Sequence, residues 1–138
     1  MSAGRQRVHS GAPWEKIAGY CRAVRVGDVI AVSGSAPVGD DGELVGEGDM
    51  YVQTKRCIEV IDKALVDAGA TLCDVVRTRM FVTDLAQWEA VAKAHAEAFG
   101  ETPPATSMVE VTRLIDERML VEIEADAIVT ANSAAVDS

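Results

Sequence analysis

The regular spacing of apolar residues near the C-terminus is the feature that most constrains the fold of this chain. Between Met119 and Val129 an apolar residue occupies every second position, and Glu122, Glu124 and Asp126 stand between them. Successive side chains of a β-strand point to opposite faces, so the segment is predicted to be a strand with one apolar and one acidic face. The apolar face needs a covering layer, and the acidic face must meet solvent or a partner.

The rest of the chain supplies that covering layer. The segment from Tyr20 to Ser33 is predicted to be a hairpin that turns at Gly27-Asp28. Two amphipathic helices are predicted, the first capped by Asp49 and the second opening near Asp84. Their apolar stripes are Ile58, Ile61, Leu65 and Ala68 in the first helix, and Trp88, Val91, His95 and Phe99 in the second.

Two more strands, Val75–Val82 and the segment SMVEVT that follows Pro103-Pro104, complete the element order β-β-α-β-α-β-β. This order predicts an α+β fold, a sheet with two helices on one face. One domain is expected over residues 13–129, between a flexible segment at 1–12 and a disordered tail at 130–138.

Charge and cysteine content exclude several classes of protein. The formal net charge of −9, with no cluster of basic residues, argues against nucleic acid as a ligand. No apolar run approaches the length of a membrane span, and the N-terminus lacks the apolar region of a signal peptide. The three cysteines are widely spaced and form no metal-binding pattern, so we expect reduced thiols, a cytoplasmic location and no metal or other cofactor.

The uncovered face of the sheet is predicted to carry charge. Alternation in the strand 75–82 places Arg77, Arg79 and Phe81 on one side, and we expect them to share a face with the acidic residues of the last strand. A merely solvated charged face is the alternative. A small sheet covered on one side only is often completed by another subunit, which favours an oligomer.

Five segments then resemble one family when taken in order: IAGY (17–20), VIAVSG (29–34), VRTRMFVTDL (76–85), PPATSMVEVTRL (103–114) and LVEIEA (120–125). Together they are similar to the RidA/YjgF family of imine and enamine deaminases, over residues 13–129. The resemblance implies a chorismate-mutase-like α+β protomer, a homotrimer and ligand clefts at the subunit interfaces. It also implies a cofactor-free hydrolysis of reactive imines to carbonyl compounds and ammonia.

The resemblance also assigns site residues. Tyr20 matches the cleft tyrosine, and Glu122 matches the glutamate thought to position water. The remaining positions implied to contact substrate are Ser33, Gly34, Ser35, Trp88, Ala105, Thr106 and Met108.

Three positions depart from the family pattern. Thr106 stands where an arginine normally binds the substrate carboxylate, Ala92 replaces an asparagine, and Ser35 replaces a frequent glutamine. A guanidinium contributes about 1.5–3 kcal/mol through charged hydrogen bonds, so a 2-imino acid should bind poorly unless another cation reaches the cleft. Arg79 is the first candidate for that cation and Arg113 the second, although a salt bridge to Asp126 is the favoured interpretation of Arg79 and a structural role that of Arg113.

Glu122 could act as both base and acid in imine hydrolysis if burial and the neighbouring carboxylates raise its pKa. Glu122 in an interface charge network and Tyr20 in a purely structural hydrogen bond are the competing interpretations. The chain is therefore expected to be an imine deaminase whose substrate differs from a standard 2-imino acid. A non-catalytic trimer that binds a metabolite or acts as a chaperone remains the alternative.

Overall fold

The computed structural model describes residues 4–130. The tail predicted at 130–138 lies almost entirely outside the described residues, as does the start of the predicted flexible N-terminal segment. No helix within 4–130 is long and apolar enough to cross a membrane.

One sheet organises the described part of the chain. Its six strands follow the spatial order β1-β2-β3-β6-β4-β5. Neighbouring strands are antiparallel except β4 and β5, which run parallel. The strands are β1 (Arg5–Val8), β2 (Ala23–Val26), β3 (Val29–Ser35), β4 (Val75–Val82), β5 (Ala105–Glu110) and β6 (Val121–Ile128).

Three helices accompany the sheet: α1 (Pro13–Ala18), α2 (Met50–Asp67) and α3 (Trp88–Phe99). The carboxylate of Asp49 accepts a hydrogen bond from the backbone N–H of Val52 and caps α2, as predicted. Gly69 follows α2 at a φ of +87°, a conformation that glycine adopts without strain.

The core lies between the sheet and the pair α2 and α3, which confirms the predicted fold class. Apolar side chains of α2, such as Ile61 and Leu65, are fully buried against the inward residues of β6, such as Ile123 and Ala125. The predicted hairpin is present as β2 and β3.

The N-terminal region holds more structure than the sequence analysis expected. Strand β1 pairs with β2 along Arg5–Val8, inside the segment expected to be flexible, and α1 follows directly. Three of the four β1 residues are exposed, so their hydrophobic pattern carries no strand signal, and backbone pairing to β2 forms the strand.

Candidate functional site

The face of the sheet opposite α2 and α3 carries paired charges. The register between β4 and β6 sets Arg79 directly across from Glu124 and Arg77 across from Asp126. Arg79 Nη1 lies 3.1 Å from Asp126 Oδ2 and 3.5 Å from Glu124 Oε1. The shared acid and base face is confirmed, and Arg79 makes the salt bridge considered as its structural alternative.

Glu122 lies against the backbone of Gly34. The pairing of β3 with β6 is interrupted between Val32 and Ser35, and this irregularity carries Gly34 beneath the carboxylate. A Cβ added to Gly34 would stand 2.2 Å from Glu122 Oε2. A side chain at position 34 would therefore displace the carboxylate of Glu122, which occupies that space.

Arg22 is a site residue that the sequence analysis missed. Its Nη2 donates a hydrogen bond to the carbonyl oxygen of Gly34 at 2.5 Å, and its guanidinium carbon lies 6.0 Å from the centre of the Tyr20 ring. The same guanidinium is close enough to act on the charge of Glu122. Arg22 lies two residues after Tyr20, which the family resemblance assigns to the cleft, but no spacing rule connects Arg22 to Glu122, 100 residues later.

The environment of Glu122 favours a protonated carboxyl. Burial raises its pKa above the ordinary value for a glutamate, the positive charge of Arg22 opposes that shift, and the negative charge of Glu124 adds to it. A raised pKa makes a carboxyl better suited both to accept a proton and to donate it again.

The hydroxyl groups of the two serines beside Gly34, Ser33 and Ser35, donate hydrogen bonds to backbone carbonyls of this chain. Ser33 Oγ donates to the carbonyl of Cys21 at 2.7 Å, and Ser35 Oγ donates to the carbonyl of Ser33 at 2.9 Å. Ser35 is fully buried on the helix side of the sheet, so in this chain its side chain supports the strand irregularity. Ser33 is partly exposed and can still accept a hydrogen bond.

The other residues proposed to contact substrate form a separate group at β5 and α3. Thr106 Oγ1 lies 2.7 Å from Thr78 Oγ1, which lies 2.9 Å from His95 Nε2. Thr106 therefore faces the helix side of the sheet, and His95 is the satisfied histidine that its place on the apolar stripe suggested. Met108 packs partly buried against the core. Ala105 is exposed, and so is Trp88, at 53%, although the apolar stripe predicted that Trp88 is buried.

The two groups are far apart within one chain. Strands β6 and β4 lie between β3 and β5, and three interstrand spacings amount to about 14 Å. Within one chain, Gly34 on β3 thus lies three interstrand spacings from Thr106 on β5, Glu122 on β6 lies two spacings from it, and Trp88 is the first residue of α3.

A cavity of about 700 Å³ opens beside the first group. Tyr20 and Ser33 contribute to its wall, and α1 forms one side. Its charged or titratable lining comprises Arg7, His9, Glu15, Lys16, Tyr20, Cys21, Glu124 and Asp126. No cluster of three or more His, Cys, Asp or Glu side chains suited to hold a metal ion occurs in residues 4–130.

Comparison with known proteins gives one consistent result. A family model described as Endoribonuclease L-PSP matches residues 11–129. A RutC family protein of Pyrococcus abyssi is 42% identical over 109 residues, covering 78% of this chain and 84% of that protein. The 3-aminoacrylate deaminase RutC of Acinetobacter baylyi is 34% identical over 107 residues, covering 78% and 84% respectively.

Solved structures agree with the sequence relatives. A Mycobacterium tuberculosis protein described as a member of the YjgF/YER057c/UK114 family is 49% identical, with a TM-score of 0.83, and covers 91% of this chain and 100% of its own. The YjgF protein of Escherichia coli is 31% identical, with a TM-score of 0.79, and the match covers 91% of this chain and 98% of the YjgF chain.

Proposed function

Because this chain belongs to the RidA/YjgF family, we propose that it hydrolyses a reactive imine or enamine to a carbonyl compound and ammonia. The observation that carries the proposal is the Glu122 carboxyl, half-buried over Gly34 and beside Arg22, with a raised pKa. The relative from Acinetobacter baylyi, named a 3-aminoacrylate deaminase, supports the same reaction class.

Glu122 has the properties that hydrolysis of a C=N bond requires. Water must lose a proton as its oxygen attacks carbon, and the nitrogen must then gain one. Glu122 takes the first proton and returns it to nitrogen, and its raised pKa favours this return. Tyr20, which is 37% exposed at the cavity wall, can donate a hydrogen bond to the ligand.

The complete cleft lies, in this proposal, between copies of the chain arranged as a homotrimer. Thr106 stands on β5, about 14 Å in strand spacings from Gly34 on β3, while Trp88 begins α3, and β5 pairs only with β4 within residues 4–130. A neighbouring copy that presents its β5 edge to the open face would bring both groups to one ligand. Trp14 and Ile17 of α1, exposed by 49% and 76%, supply apolar surface for such an interface.

The substrate of this chain is proposed to differ from a standard 2-imino acid. Thr106 supplies no positive charge, and Arg79 is engaged by Glu124 and Asp126. An imine without a carboxylate loses nothing from the missing guanidinium, so neutral imines and enamines are the favoured class. We place this activity in the cytoplasm, where cysteines such as Cys21 and Cys57, which form no disulfide within residues 4–130, stay reduced.

The charge of this chain does not support the endoribonuclease activity that the name of the matching family model suggests. The chain carries a formal charge of −9, and the open face exposes Glu122, Glu124 and Asp126. A polyanion would be repelled from that face.

An ammonia-release assay tests the proposal. Imines are generated in place by amine and amino-acid oxidases, and hydrolysis is followed with and without the protein. We expect acceleration over buffer, loss of at least 10²-fold in Glu122→Gln, and no change in Glu59→Gln, an exposed glutamate of α2. Hydrolysis at the buffer rate for every imine would contradict the proposal and favour a non-catalytic binding protein.

A further inference from the structure

The connection between β1 and α1 holds a histidine and a carboxylate whose contact has a catalytic geometry. Glu15 is the one buried residue of α1, with 4% of its side chain exposed, and its carboxylate points back to the preceding loop. His9 Nδ1 lies 3.1 Å from Glu15 Oε1. The imidazole itself is 62% exposed, so its other ring nitrogen is accessible.

Ser10 fixes the carboxylate in this orientation. The backbone N–H of Ser10 donates to Glu15 Oε2 at 3.1 Å, and the Ser10 hydroxyl makes a further short hydrogen bond to the same oxygen. Oε1 is thereby directed at His9. A histidine held through one ring nitrogen by an anchored carboxylate is restricted in both orientation and tautomer.

The protonation state of Glu15 decides the tautomer of His9. Burial alone would raise the pKa of Glu15, but the hydrogen bonds from Ser10 and His9 and the positive charge of Arg22 lower it below the ordinary value. Glu15 is therefore ionised and can only accept hydrogen bonds. In its neutral form His9 therefore donates Nδ1–H to Glu15, which leaves the lone pair of Nε2 free to accept a proton.

That histidine stands at the cavity that also contains Tyr20 and Ser33. Ser33 adjoins Gly34, over which Glu122 lies, and Glu124 of β6, two residues after Glu122, lines the same cavity as His9. The charged groups around the cavity that act on His9 are Arg7 of β1, Glu15 and Lys16 of α1, and Glu124 and Asp126 of β6.

We infer that His9 is a second proton-transfer residue of this site, with Glu15 as the positioning residue that orients it. The inference rests on the proposed imine hydrolysis. Glu122 serves the addition step, in which water attacks carbon and the C=N electron pair moves to nitrogen. His9 serves the elimination step: Nε2 takes the proton from the hydroxyl of the tetrahedral intermediate and delivers it to nitrogen. The C=O bond then forms, the C–N bond breaks and ammonia leaves.

The tautomer can be measured without substrate. The chain has two histidines, so the ring nitrogens of His9 and His95 can be separated by two-bond proton–nitrogen correlation. We expect His9 to be protonated at Nδ1 in the wild-type protein. A dominant Nε2-protonated form would overturn the inference, because the free base would then face Glu15.

His9→Asn tests the catalytic role, since the asparagine amide can still donate to Glu15 but cannot accept a proton as imidazole does. We expect kcat to fall about 10²-fold with little change in KM. His9→Ala should behave alike, which separates loss of the base from an effect of asparagine.

Failure of the inference is distinguishable from failure of the proposed function. If the wild-type protein is active and the kcat of His9→Asn is within twofold of the wild-type value, the role of His9 is overturned but the proposed function is not. Wild-type protein that accelerates no imine hydrolysis overturns the proposed function and the role of His9 together.

Discussion

The carboxylate of Glu122 fills the space beside Gly34 where a side chain at position 34 would begin. Its Oε2 lies 2.2 Å from the ideal Cβ position of that residue. Arg22 holds the carbonyl of the same glycine at 2.5 Å. The strand irregularity in β3 therefore serves to seat a carboxylate beside a cation and the Tyr20 ring.

Gly34→Ala should displace the carboxylate while leaving the fold intact. The clashing atom is the end of a flexible side chain, so we expect activity to fall by about 10²-fold and the free energy of unfolding to change by less than ~1 kcal/mol. Gly39→Ala is the matched control, because its new Cβ would also come closest to the end of a flexible side chain, that of Asp41. Equal activity of both variants would argue that the position of Glu122 is unimportant.

Glu122→Gln should change the pH dependence of stability. The pKa of Glu122 is raised in the folded chain, so the folded state binds this proton more tightly than the unfolded state, where the carboxyl titrates near about 4.3. The wild-type protein therefore loses stability as the pH rises from the pKa of Glu122 in the unfolded state to its higher pKa in the folded state. Urea unfolding at pH 4.5 and pH 8 should show the variant gaining stability relative to wild type at the higher pH. A difference that is independent of pH would contradict the raised pKa.

Arg22→Met should shift the pH profile of activity. Arg22 lowers the pKa of Glu122, so its removal raises that pKa and moves the acid limb of kcat/KM to higher pH. The loss of the hydrogen bond to Gly34 should also cost about 1–3 kcal/mol of stability. A profile that keeps its acid limb at the wild-type pH would show that Arg22 has only a structural role.

Thr106→Arg should improve the use of imines that carry a carboxylate. A new guanidinium at the β5 edge can contribute up to about 3 kcal/mol, or two powers of ten in kcat/KM, for a 2-imino acid and nothing for a neutral imine. Thr106→Met, which lacks the charge, is the control, and both variants lose the hydrogen bond to Thr78. The ratio of kcat/KM for charged and neutral substrates is the measurement, and an unchanged ratio would place position 106 outside the cleft.

The sequence predicted the parts of the fold that have a clear period or cap. Asp49, the buried stripe through Ile61 and Leu65, and the alternation of β6 are all found as predicted. Strand β1 was missed because its residues are polar and it is formed by backbone pairing with β2. Helix α1 was missed because its six residues are too few to establish a helical period.

The site was harder to predict because its contacts join distant parts of the chain. Tyr20, Gly34 and Glu122 could be named from motifs, but the hydrogen bond of Arg22 to Gly34 depends on the bend in β3. His9 was assigned to a loose N-terminus because nothing local in sequence identifies Glu15 as its buried partner.

Sedimentation equilibrium at micromolar concentration is the most direct test of the account, since the β5 edge and the Gly34 region can meet only between copies. The account predicts one species with three times the mass of the chain. A stable monomer over the same concentration range would contradict it, because no cleft could then unite Glu122 with the β5 edge.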